Sequence, residues 1–140
     1  MKRIIALLVM VFVLTIGLVA CARTEKAEDM KTKLKDGGYT VSEYKPEEFD
    51  VKYSSLGGIA KLDGIKTVLV AQKGEQGLFL FVFENGKQAE KAATPELLGT
   101  LASSAKDFGD EDQTSFVGYH NNVLWAGSLK ARDAVGLNIK

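Results

Sequence analysis

Three groups of residues in this chain have the type and spacing to do chemistry. Cys21 is the only cysteine, and it sits where a long apolar run gives way to polar sequence. A thiolate is a soft nucleophile that no other side chain replaces. His120 is the only histidine, and a Ser-His-acid triad or most acid-base schemes would have to use it. Asp107, Asp110, Glu111 and Asp112 cluster in "DFGDEDQ" and offer oxygen ligands to a hard cation. The last two groups lack supporting context. No G-x-S-x-G flanks a serine, His120 stands beside an expected hairpin turn, and the acidic run lacks the alternating order, central Gly and closing Glu of a calcium loop. Two-carboxylate glycosidase chemistry needs a defined pair, and nothing singles one out among the 18 acids. The expectation is therefore no catalytic residue, no metal site and no cofactor.

Cys21 is different because of what precedes it. Lys2 and Arg3 are followed by sixteen uncharged residues, Ile4 to Val19. About 20 apolar residues are needed to cross a bilayer, so the run suits the hydrophobic part of an export signal. The sequence Leu18-Val19-Ala20-Cys21 resembles the lipobox of bacterial lipoproteins. That resemblance implies cleavage between Ala20 and Cys21 and a diacylglycerol group on the Cys21 sulfur. Each buried methylene adds roughly 0.8 kcal/mol of membrane affinity, and two chains suffice for stable anchoring. Ala20-Cys21-Ala22 also fits the small-x-small pattern of an ordinary secretory signal, which would release a soluble protein.

Removing the leader leaves 120 residues, enough for one domain, with 16 basic and 18 acidic side chains. That net charge of minus two gives no basic patch, so nucleic acid is not an expected partner. With Cys21 used by lipid, neither disulfides nor a thiolate metal site can staple the domain. The expected organisation is a signal peptide over 1–20, a lipidated Cys and tether over 21–29, and a single domain over 30–140.

Within that domain Met30 and Leu34 mark a helix that stops at Gly37-Gly38, and Tyr39, Val41 and Glu43 alternate as a strand. Pro46 to Phe49 opens a helical turn. The strongest signal is the hairpin "KTVLVAQK"–"LFLFVFE", joined by Gly74 to Gly77. Phe79, Phe81 and Phe83 face one way and Leu78, Leu80 and Val82 the other, as in an interior strand covered on both sides. A phenylalanine stripe of that kind can also line a lipid cavity, although core packing is the simpler use.

Asn85 with Gln88, and Thr94 with Pro95, are helix starts. The second helix carries an apolar stripe of Leu97, Leu98, Leu101, Ala105 and Phe108. Thr114 to His120 and Val123 to Gly127 form a hairpin about Asn121-Asn122, and Ser128 caps a last helix ending at Gly136. Strands grouped in adjacent pairs predict an α+β fold, mainly an antiparallel sheet of about five strands with helices packed on it. A ferredoxin-like order is one candidate. The segments "DGGYTVSEY", "LVAQKGEQGLFLFVFEN" and "VLWAGSLKARDAV" resemble the small, uncharacterised α+β domains of Gram-positive bacteria. That resemblance carries no active site.

The stretch from Tyr53 to Gly64 is the candidate binding loop. Ser54 and Ser55 offer hydroxyls, Gly57 and Gly58 permit close approach, and Leu56 and Ile59 offer apolar contact. The bland alternative is a plain connection whose apolar residues enter the core. Together these features predict a lipoprotein on the extracytoplasmic face of the cell membrane, or of the outer membrane in a Gram-negative cell. Its partners would be the membrane, through lipid on Cys21, and an envelope protein or small ligand. It would be a binding or interaction module and not an enzyme; the alternatives are a small envelope enzyme or an immunity- or inhibitor-type lipoprotein.

Overall fold

The computed structural model describes residues 24–56, 58–105 and 116–137. Ala20, Cys21, Gly57, Phe108 and the acidic run from Asp107 to Asp112 lie outside the described residues.

Five antiparallel strands form one sheet, with helices on both faces. The order along the chain is α1 (Ala27–Asp36), β1 (Thr40–Tyr44), α2 (Pro46–Lys52), two short 3-10 turns (Ser54–Leu56 and Ile59–Lys61), β2 (Ile65–Lys73) and β3 (Gln76–Phe83). Then follow α3 (Gly86–Ala92), α4 (Pro95–Ala105), β4 (Phe116–His120), β5 (Val123–Gly127) and α5 (Leu129–Val135). Across the sheet the order is β1-β2-β3-β5-β4. This is the α+β class that the paired strands predict.

The order is not ferredoxin-like. β3 and β4 run parallel with β5 between them, since both pair with β5 antiparallel. That is one split crossover, but β1 and β2 are direct antiparallel neighbours, so the second crossover that fold requires is absent.

β3 lies in the middle of the sheet and is buried on both faces, as its unbroken apolar sequence demands. On one face Leu78, Leu80 and Val82 join Leu69, Val123 and Trp125 beneath Met30 and Leu34 of α1 and Ala131 and Val135 of α5. On the other, Phe79, Phe81 and Phe83 join Val68, Leu124, Phe49 of α2, Ala89 of α3 and Leu101 of α4. The Phe stripe is therefore core, with all three rings buried. Phe49 meets Phe79 and Phe81 edge-on at 5.7 and 5.5 Å, the geometry favoured by ring quadrupoles.

Local signals account for most of the element ends. The Asn85 carboxamide accepts from the Gln88 amide at 3.0 Å, Thr94 Oγ1 from the Leu97 amide at 3.2 Å, and Ser128 Oγ from the Ala131 amide at 3.4 Å. Each satisfies an amide that a helix start leaves without a partner. The Gln88 side chain does not reach back to complete a capping box. It fills the space left by the missing Cβ of Gly64. The β2–β3 turn is tighter than the four-residue connection expected: Lys73 pairs with Gln76, leaving only Gly74 and Glu75 between, with Gly74 at φ +60°.

α1 starts at Ala27, inside the stretch expected as tether. Glu28 and Asp29 in its first turn favour a helix start there, because acids stabilise the positive end of the helix dipole. Met30 and Leu34 both bury completely.

Candidate functional site

The loop from Ser54 to Ile59 is not the apolar contact surface expected from its sequence. Leu56 and Ile59 are 4% and 1% exposed and belong to the phenylalanine-lined core. The reason lies in Asp50. Its carboxylate accepts from the Ile59 and Ala60 amides, both at 3.0 Å, and pulls the second 3-10 turn onto α2. Ser54, Ser55 and Gly58 remain exposed, and Gly58 takes φ +99°, which favours glycine. Leu56 closes the first 3-10 turn and Ile59 opens the second, so no single helical period in the sequence marked their burial.

The described surface carries two sizeable polar grooves, at opposite ends of the sheet. The first, of about 650 Å³, lies at the β4–β5 turn between Lys26, Lys33, His120 and Asn121. His120 thus sits at the hairpin turn where the sequence put it, beside Asn121 at φ +54°. Asn122, next in the turn, is 1% exposed, and its carboxamide does three things. Its Oδ1 accepts from the Glu25 amide at 2.6 Å, its Nδ2 donates to the Glu25 carbonyl at 3.0 Å, and the same Nδ2 donates to the Phe83 carbonyl at 3.0 Å. The side chain pairs with Glu25 as a strand residue would, satisfying both backbone groups at once. Among the described residues no group of three or more His, Cys, Asp or Glu side chains is disposed to hold a metal ion.

The second groove, of about 500 Å³, runs beside β1 and is lined by Thr40, Ser42, Tyr44, Lys52, Tyr53 and Gln72, among others. It exists because Thr40, Ser42 and Tyr44 share one face of β1. Helix α2 covers the Phe49 end of that face and leaves the rest open. Tyr53, at the start of the loop that drew attention in the sequence, forms the groove floor. Its ring stacks on Phe49 at 4.8 Å and meets Tyr44 edge-on at 6.1 Å. Burial pushes the Tyr53 hydroxyl above its ordinary pKa of 10.0, and its charge repulsion and hydrogen bond with Tyr44 add to the shift. The Tyr53 hydroxyl therefore keeps its proton at physiological pH, able to donate or accept a hydrogen bond. Within the described sheet β1 has no strand on its outer side, so its main chain is open along the groove.

The opposite face of β1 is partly covered by α1. Val41 packs on the first core, and Glu43 receives the Lys31 ammonium at 2.6 Å from α1. Sequence reasoning missed the groove because Thr40 and Ser42 read as the ordinary wet face of an amphipathic strand. No protein-family model, no curated protein and no solved structure matches this chain.

Proposed function

We propose that this chain is an extracytoplasmic lipoprotein, held to the membrane by lipid on Cys21, whose single domain is a binding module. Its ligand is an envelope protein or a small polar molecule, received in the groove beside β1. The lipobox-like Leu18 to Cys21 supports the anchor. The observation that carries the binding reading is the groove itself. Thr40, Ser42 and Gln72 are exposed polar side chains on the same sheet face as Val68, Phe79 and Phe81, which are fully packed. The core makes no use of those polar groups, and they stand beside two half-buried tyrosines and an open strand edge. Such an edge gives main-chain hydrogen bonds to an extended segment, while the groove selects its alternate side chains.

A photo-crosslinking residue placed at Ser42 in living cells tests this reading, with the same residue at exposed Glu90 of α3 as control. A discrete adduct at Ser42 that is missing at Glu90 is the expected result. The same adducts at both positions, or none at Ser42, would contradict it.

A further inference from the structure

We propose that the domain stands on the membrane by one defined end: the β4–β5 turn and the groove at His120 meet the lipid headgroup layer, and the groove beside β1 points away. This inference rests on the lipid anchor at Cys21 and adds the orientation that the anchor imposes.

The chain enters the fold at Glu25, and that entry is fixed by the Asn122 carboxamide and not by a side chain at the surface. Asn121 adds a contact from its Nδ2 to the Glu25 carboxylate at 3.4 Å. Four residue steps separate Glu25 from Cys21. At about 3.3 to 3.6 Å per residue they span at most ~14 Å. An anchor on so short a leash holds the turn within reach of the headgroups.

The far end of the sheet lies farther from the anchor. Phe83 and Asn122 lie at the anchored end of β3, where the Phe83 amide donates to the Asn122 carbonyl at 2.8 Å. Gln76 begins the strand at the other end, next to the Gly74-Glu75 turn. Seven residue steps of strand at about 3.3 Å place the two ends ~23 Å apart. Thr40 pairs with Gln72 near that distant turn, so the groove beside β1 opens on the side away from the anchor.

The anchored end is chemically suited to a headgroup layer. Thr24 and Lys26 are exposed, and Lys33, His120 and Asn121 supply further polar groups beside the carboxylates of Glu25 and Asp29. No large apolar side chain lines that groove, so lipid phosphates and water can both solvate it. The orientation is set by hydrogen bonds and leash length, so it should survive high salt, which screens surface charge.

The test uses the full-length protein, purified with its lipid and placed in phosphatidylcholine–phosphatidylglycerol vesicles. The sequence has no cysteine besides Cys21, so Lys33→Cys or Glu75→Cys gives one free thiol for a fluorophore once Cys21 is acylated. A nitroxide-headgroup lipid should quench the label at position 33 severalfold more than the label at 75. Asn122→Ala should bring the two signals together. Glu25→Ala should leave them apart, because the Asn122 bonds are to the Glu25 backbone. If Asn122→Ala does not fold, a twelve-residue Gly-Ser insertion after Ala22 lengthens the leash without touching the clamp, and it should equalise the signals in the same way. Equal quenching at 33 and 75 in the acylated, uninserted protein would overturn the orientation while leaving the anchor intact. Intact mass and thiol count are read first: an unmodified Cys21 that reacts with the fluorophore overturns both readings and is distinguishable from the first failure.

Discussion

The Asn122 side chain holds the backbone of Glu25 from both directions, accepting from its amide at 2.6 Å and donating to its carbonyl at 3.0 Å, across 97 positions of sequence. Asn122 also bonds the Phe83 carbonyl, so one buried carboxamide joins the N-terminal entry, the end of the central strand and the last hairpin turn. Removing it leaves three backbone groups without their partner. Each such group costs about 1 to 3 kcal/mol when it stays buried. Water reaches the partly exposed Glu25, so Asn122→Ala should lose roughly 2 to 4 kcal/mol in urea unfolding. A loss below measurement error would show that the clamp does not contribute to stability.

Asp50 plays a comparable part for the loop. Its two bonds to the Ile59 and Ala60 amides are charge-assisted, and each such bond is worth about 1.5 to 3 kcal/mol. Asp50→Ala should therefore destabilise the domain by about 2 kcal/mol or more and make the amides of residues 56 to 62 exchange faster with solvent. Unchanged exchange would mean that burial of Leu56 and Ile59 alone fixes the loop.

Phe81 is fully buried between Phe49 and Phe79. Emptying that site in Phe81→Ala should cost about 3 to 5 kcal/mol. Wild-type stability in that variant would contradict the assignment of the Phe stripe to the core.

Three groups predict the behaviour at high pH. The Lys31 ammonium is held above its ordinary pKa of 10.5, first by its hydrogen bond to Glu43 and then by Glu28. Burial raises the hydroxyls of Tyr39 and Tyr53 above 10.0. All three lose their proton less readily folded than unfolded. Their contribution is complete below about pH 10 and disappears as pH rises through the raised values. The thermal midpoint should therefore be flat in these groups from neutral pH to about 9 and fall above about 10, with a shallower fall in Tyr53→Phe. A midpoint that rises above pH 10 would have the wrong sign.

What the sequence disclosed and what it hid differ in a physical way. The central strand could be read from Leu78 to Phe83 because burial on both faces leaves no polar residue, and the helix starts at Asn85, Thr94 and Ser128 because a cap acts within three residues. These are local or periodic signals. The Asn122–Glu25 clamp and the Asp50 bonds to the loop were invisible, since a polar contact between distant residues has no period. The insertion of β5 between β3 and β4 was hidden for the same reason. The groove beside β1 was half legible. Tyr39 and Val41 are inward as the alternation predicts, but which wet face is left uncovered depends on where α2 stops, and that is fixed by tertiary packing.

The central claim is the lipid on Cys21, and the most direct measurement is intact mass of the membrane-extracted protein together with incorporation of labelled palmitate, in wild type and Cys21→Ser. The anchor predicts a chain that starts at Cys21, carries the mass of a diacylglyceryl thioether and takes up label. The variant should take up none and should retain its leader, running heavier on a gel. Equal labelling of the two proteins, or an unmodified Cys21 in the extracted chain, would contradict it.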